Sequence, residues 1–483
     1  QAGYENISGI EMTAIGYQAL RYSTGNGNTA IGFISLYNNN TGSYNNALGR
    51  ASLYANTTGS YNTAIGYESL RYNTTASNNT ALGHQALLNN TASSNTAVGF
   101  QAGYSNTTGT GTTAIGYQAL YANTTASSNT AIGDLALTGN TTGSQNTAIG
   151  RFALRANTTG YNNVSTGVSS LQFNTTGINN SAYGANALYT NVTGNNNTAI
   201  GEEALNANTA SNNTAVGYQA GFSNTSGIGL TALGYAAGRA NTTGTENTAV
   251  GYNVLLNNTT GNYNSGVGYG ALVGTTGSSN TAVGNGAGFQ VTTGTNNTIM
   301  GHNALNVGGA ATSNTAIGYY ALFSNTANNN TAVGTQAGYS NTSGTNNTAI
   351  GYQANYSNVT GLQNTALGYQ ALRDNTNGAN TAVGHTALVG NTTGQEHTAM
   401  GSRALQSNTT GTQNCAFGAA ALLTNSTGSN NVAMGFQSLF SNTASNNTAV
   451  GYQAGYSNTS GAENTAIAYQ ALKANTTGQY NTA

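Results

Sequence analysis

Thr113-Ala114-Ile115-Gly116-Tyr117-Gln118-Ala119-Leu120-Tyr121-Ala122-Asn123-Thr124-Thr125 is followed, 17 residues after its start, by Thr130-Ala131-Ile132-Gly133. The same unit recurs along the whole chain. The glycine that closes each Ala-aliphatic-Gly triplet stands at 16, 32, 49, 66, 83, 99, 116 and so on to 451, with Ala468 in its place in the last copy. Every step is 16 or 17 residues, giving 28 copies. A period this short and strict is that of a solenoid, in which each copy is one turn that cannot fold alone and buries its apolar residues by stacking on its neighbours. The predicted fold is therefore all-β: a parallel β-solenoid, or β-roll, of about 28 turns of 16–17 residues, forming a single continuous array over residues 1–483.

Each position of the consensus Asn-Thr-Ala-Ile-Gly-Tyr-Gln-Ala-Leu-Tyr-Ala-Asn-Thr-Thr-Gly-Ser-Asn has an expected role. One turn is expected to hold two short strands and two bends. In Thr63-Ala64-Ile65-Gly66, alternation puts Ala and Gly on one side of the first strand and Thr and Ile on the other. Both sides look desolvated. The second segment, Gln-Ala-Leu, places Leu in the core. Gly replaces that Leu at 103, 221, 238, 288, 338 and 455, and in five of these six turns an aromatic residue follows, as at Tyr104 and Phe222; Asn355 is likewise followed by Tyr356. The pattern predicts a volume swap, with a ring filling the vacated Leu site. Asn-Thr-Thr-Gly supplies the return bend, with Asn and Gly suited to left-handed backbone. Stacking then lines up the Asn side chains so that their amides can bond from rung to rung.

A longer period lies above the short one. Comparable 16-residue turns begin at Gly83, Gly201, Gly318 and Gly435, separated by 118, 117 and 117 residues. Seven-turn blocks follow, near 99–216, 217–333 and 334–450. The chain opens and closes inside a repeat, as expected of a piece of a longer protein.

Composition removes most functional classes. Only 4% of the residues are charged and the formal net charge is −1. The nine basic residues are scattered singly, so there is no electrostatic footprint for nucleic acid. No apolar run approaches the length of a spanning helix, so no membrane insertion is expected. Aspartate occurs only at Asp134 and Asp374, too sparse for calcium-binding repeats. Glu202 and Glu203 are adjacent and in a strand would face opposite ways. His84, His302 and His385 each follow a glycine many turns apart and read as exposed drift. Cys415 stands where most copies have Thr. Neither a catalytic set, a metal site nor a cofactor site can be assembled, so the chain is not expected to be an enzyme.

At the level of Asn-Thr-Ala-Ile-Gly-Tyr-Gln-Ala-Leu and Asn-Thr-Thr-Gly, essentially all 483 residues resemble the repeat regions of bacterial surface proteins and phage-type tail fibres. The repeats are also similar to the YadA-like heads of trimeric autotransporter adhesins. That resemblance implies a left-handed β-roll, a homotrimer or fibre formed by self-association, and a place outside the cell, on its surface or in a virion tail fibre. The expected function is a structural fibre or adhesin shaft or head, giving rigid reach and multivalent contact with surface glycans or host surfaces. The alternative is a carbohydrate-binding or ice-binding solenoid that uses columns of Tyr or Thr.

Two sets of residues could carry such contacts. The residue after Gly is aromatic in about half of the turns, including Tyr218, Tyr235, Tyr252 and Tyr269. A column of rings could stack on sugars; surface residues of good β-propensity would look the same. The acceptor pattern Asn-X-Thr/Ser recurs at the bend, making Asn56, Asn73, Asn106, Asn123, Asn157, Asn241 and Asn408 candidate glycosylation sites. Turn chemistry alone also calls for Asn-Thr-Thr-Gly there.

Overall fold

A computed structural model of the chain describes residues 2–3 and 8–483. These hold 28 strands of three residues each and no helix. The strands fall into two units. Residues Gln1–Thr243 carry β1 (Thr13–Ile15) to β14 (Thr231–Leu233), and residues Gly244–Ala483 carry β15 (Thr248–Val250) to β28 (Thr465–Ile467). Within each unit every strand pairs in parallel with the next. The register sets like on like: Thr113 on Thr130, Ala114 on Ala131 and Ile115 on Ile132 in the first unit, and Thr348 on Thr365 and Ala349 on Ala366 in the second. Each unit is thus a parallel β-solenoid, about 60 Å from first to last strand at the usual ~4.8 Å between strands.

Each turn has one strand rather than the two expected. Gln-Ala-Leu alternates between left-handed and right-handed backbone, with φ of 47° at Gln118 and 53° at Leu120. On this path the Gln118 N–H donates back to Phe100 O at 2.9 Å and the Leu120 N–H donates forward to Ala136 O at 3.0 Å. Both neighbouring turns are satisfied without a second strand. A left-handed Leu costs about 1–2 kcal/mol, which burying its side chain, worth about 1.5–3 kcal/mol, offsets. The Leu column is indeed the core, with Leu53, Leu120, Leu137 and Leu154 fully buried.

The strand sides also differ from expectation. Ala points inward and is fully buried in nearly every turn, whereas the flanking Thr and aliphatic residues face outward. Ile65, Leu82 and Ile200 are 37–43% exposed. With so narrow a cross-section the interior of a turn is filled by two Ala, one Leu and two Asn, as by Ala114, Ala119, Leu120, Asn123 and Asn129, and the branched residue is left at the surface.

The volume swap also takes another form. At Gly103, Gly221, Gly338 and Gly455 an added Cβ would lie 2.9 Å from Cδ2 of the previous turn's Leu: Leu87, Leu205, Leu322 and Leu439. The neighbouring Leu, not the following ring, occupies the vacated space. Tyr104 instead remains half-buried and stacks on Tyr121 at 5.1 Å. The return bend differs as well: Asn56 and Gly59 do not take the left-handed backbone, which falls two residues later, at Tyr61 (φ 60°).

Candidate functional site

Two buried asparagine ladders run through each unit. In the first, Asn157 Nδ2 donates to Asn140 Oδ1 at 2.8 Å and to Gly160 O at 2.9 Å, while Asn157 Oδ1 accepts from Asn174 Nδ2 at 2.8 Å. In the second, formed by the Asn before each strand, the Asn163 N–H donates to Asn146 Oδ1 at 3.0 Å and Asn163 Nδ2 to Gly177 O at 2.9 Å. These amides are fully buried. They satisfy the bend carbonyls that a chain with few charges would otherwise bury unpaired. Outside them, hydroxyls form a third column, Thr124 Oγ1 to Thr141 O at 3.1 Å and Thr141 Oγ1 to Thr158 O at 3.1 Å. Glutamines form a fourth: Gln118 Nε2 to Gln101 Oε1 at 2.9 Å, Gln101 to Gln85 at 3.0 Å, and Gln85 to the Glu68 carboxylate at 3.0 Å.

The candidate acceptors Asn56, Asn73, Asn106, Asn123, Asn157, Asn241 and Asn408 all lie in the first ladder, buried to within about 1%. Asn56 Nδ2 uses both of its hydrogens, on Asn39 Oδ1 at 2.8 Å and Gly59 O at 2.9 Å. A sugar on that nitrogen would replace one hydrogen and have to leave through the packed interior. The native protein is expected to carry unmodified Asn at these seven positions, as intact mass and peptide mapping would read; a hexose on any of them would mean that its rung is open.

The outward side of each strand carries three rows: Thr, then the aliphatic residue, then the residue after Gly. The third row is a stack. In the first unit Tyr67, His84, Phe100 and Tyr117 follow one another at ring-centroid spacings of 4.9, 5.1 and 5.5 Å and interplanar angles of 8–18°. Arg50 continues it, with its guanidinium carbon 5.9 Å from the Phe33 ring and 5.2 Å from the Tyr67 ring. Tyr218 stacks on Tyr235 at 5.3 Å in the first unit, and Tyr252 on Tyr269 at 5.2 Å in the second. Rings stacked in this way cover one another's faces and show solvent their edges. Where the column is unbroken, the flat platform that a sugar needs is already occupied.

The acids and histidines are dispersed. Asp134 pairs with Arg151 at 3.4 Å, and Glu203 accepts from Gln219 Nε2 at 2.7 Å while Glu202 is exposed. Among the described residues no three His, Cys, Asp or Glu side chains come together as a metal site. His84, His302 and His385 lie exposed in the ring stack. Cys415 sits in the Thr row between Thr398 and Val432, where burial raises its pKa.

His397 escaped the sequence reading, although its place immediately before Thr398-Ala399-Met400 marks it as a substitute for a ladder Asn. It is 1% exposed, its Nδ1 accepts the Asn414 N–H at 3.2 Å, and its Nε2 lies 3.0 Å from Asn408 Nδ2. Burial lowers its pKa from 6.5 to about 4, against smaller upward contributions from backbone bonds at Gly411 and Asn414. A proton on Nδ1 would set two N–H groups head to head. With the folded pKa below the unfolded one, the unfolded chain binds the extra proton first, so stability falls as pH drops through the window from 6.5 to 4. The expected loss is about 3 kcal/mol, read by denaturant titration at pH 7 and pH 4. His397→Asn should remove this component of the pH dependence; an unchanged slope would rule His397 out as its source.

The sequence matches no family model and no curated protein. Among the described residues no helix is long and apolar enough to cross a membrane.

Proposed function

We propose that the chain is a structural segment of an extracellular fibre, the shaft or head of an adhesin or tail fibre, and that it is not an enzyme. The observation that carries this reading is the like-on-like register of its columns: buried amides, glutamines and rings each bond or stack with their equivalents in the neighbouring turn, and Thr hydroxyls donate to the backbone carbonyl of the equivalent Thr. Such an array holds surface groups at fixed axial spacing, which suits reach and repeated weak contact. It leaves little of the concave, charge-perturbed environment that catalysis uses.

The exposed aliphatic row supports self-association. It recurs through each unit, from Ile65 and Leu82 in the first to Leu367 and Met434 in the second, all 37–43% exposed, interrupted by Thr166, Tyr183 and Phe417. Together with the neighbouring Thr and ring rows it makes an outward apolar face of the kind that marks interfaces. The proposed assembly is a homotrimer packed on this face. The double variant Ile115→Glu, Ile149→Glu is expected to dissociate it while each chain stays folded, as sedimentation and circular dichroism would show. A wild-type protein that sediments as a monomer at micromolar concentration would remove the trimer. Electron microscopy with antibody labelling on the cells or particles that make the protein tests the fibre itself: label along thin surface filaments is expected, and label confined to the cell interior would overturn the reading.

A further inference from the structure

The turns between Tyr269 and Gly308, within the second unit, depart from the repeat in four columns at once. In the ring column, Tyr269 stacks on Tyr252 at 5.2 Å, but the next turn offers Asn285. In the glutamine column, two successive turns have Gly270 and Gly286. In the Leu column stands Gly288, followed by Phe289. In the first asparagine ladder, Thr275, Val291 and Gly308 replace Asn in three successive turns, and the buried Thr275 hydroxyl has no partner. Departures of this density from an otherwise strict pattern are expected where function overrides packing.

The space at Gly288 and Gly308 is refilled from within, where an added Cβ would meet Ile299 Cδ1 at 2.8 Å and Val291 Cγ2 at 2.6 Å. Where the ring and glutamine columns are interrupted, a notch of about 290 Å³ opens outward, lined by Tyr269, Phe289, Asn285, Gln290, Asn303 and Asn306, with Gly286 beneath them. No residue of the aliphatic row lines it. The far face of Tyr269 meets no ring, and Tyr269 is 58% exposed against 44% for Tyr252. The Phe289 ring lies across Gly270, 3.5 Å from where a Cβ there would stand. Polar groups surround the two rings. Asn306 Nδ2 donates to Asn303 Oδ1 at 3.1 Å and to Gly286 O at 3.2 Å, which fixes that pair. The side-chain amides of Asn285 and Gln290 have no partner among the described residues. None of the lining residues is charged.

We propose that this notch is a binding subsite for a single residue of a neutral sugar. The C–H face of a pyranose packs on the uncovered face of Tyr269, and its hydroxyls exchange hydrogen bonds with Asn285, Gln290 and Asn303, whose amides both donate and accept. The absence of charge in the lining favours a neutral sugar over a uronate or a phosphosugar. The volume, at the low end for small-molecule sites, suits one ring. The site is independent of the fibre reading, since an isolated chain presents it whether or not it assembles.

The test is saturation-transfer NMR and titration of the purified chain with methyl glucoside, methyl galactoside and the methyl glycoside of N-acetylglucosamine at millimolar concentrations. One of the three is expected to saturate. Asn285→Tyr, which completes the ring stack over Tyr269, should weaken that binding about tenfold or more while leaving cooperative unfolding intact, and Tyr269→Ala should do the same. Tyr369→Ala, whose ring is stacked between Tyr352 and His385 in the same column, should leave it unchanged. The proposal is overturned if none of the sugars saturates, if binding survives Asn285→Tyr, if Tyr369→Ala weakens it equally, or if raising the protein concentration displaces the sugar, which would make the notch a contact between chains.

Discussion

Asn157→Asp is expected to destabilise the first unit by about 4 kcal/mol at pH 7, although the two side chains have nearly the same shape. The Asn157 amide donates to Asn140 Oδ1 and Gly160 O, both acceptors. A carboxylate in its place would turn its own oxygen towards those two, at full burial and with no cation in the ladder. The folded pKa of that carboxyl must then rise above its unfolded value. The protonated form keeps one O–H donor, so the loss is smallest at acid pH and grows as pH rises through the carboxyl's folded pKa. Asn157→Ala removes the same donors without adding charge and should cost about 3 kcal/mol with no such pH dependence. Asn162→Asp, on an exposed left-handed residue, should stay within about 0.5 kcal/mol of wild type. Denaturant titrations of the three variants at pH 4 and pH 7 check this. An Asn157→Asp protein as stable as Asn162→Asp would mean that the ladder contributes nothing to stability.

Gly116→Ala is expected to cost about 3 kcal/mol or more, because two separate penalties coincide. Its φ of +136° lies outside what an L-residue adopts without strain, and an added Cβ would stand 2.6 Å from the carbonyl carbon of Gly133 in the next turn and closer still to the oxygen. Backbone on that side cannot yield without parting the turns. Ala468 takes this place in one copy, with φ 144°. Gly111 provides the comparison: at φ +63° its Cβ would meet only Ser128 Oγ, at 4.0 Å, so Gly111→Ala should cost about 1 kcal/mol. Thermal unfolding gives the two totals, and amide exchange should place the Gly116→Ala loss in the turns around Thr113–Ile115 and Thr130–Ile132. Equal losses at the two glycines would show that the turns can separate enough to admit a side chain.

Both expectations rest on columns, and columns are what a strict repeat encodes. The step of 16 or 17 residues determines that Ala114 lies on Ala131 and Asn123 on Asn140, because in-register stacking is the only arrangement that gives every copy the same environment. The buried Leu column and the asparagine ladder were legible for the same reason. His397 belongs to this class too, since its place in the repeat was visible even though its chemistry was not.

What the repeat could not convey was direction. Whether Ile115 or Ala114 turns inward depends on how much room the closed turn leaves, and that is set by the left-handed residues at Gln118 and Leu120, which no local preference announces. Leu in that backbone is unfavourable on its own and is held there only by burial and by bonds to the turns on either side. For the same reason Leu87 fills the space at Gly103, where the sequence pointed to Tyr104. The ring column was readable as composition, but only the stacking of Tyr67, His84, Phe100 and Tyr117 revealed that their faces are taken. The sequence by itself determined which residues share a column, because periodicity alone decides that. The tertiary structure decided which columns face water and where one of them is open, because those follow from the cross-section of a turn, to which all 16 or 17 residues contribute together.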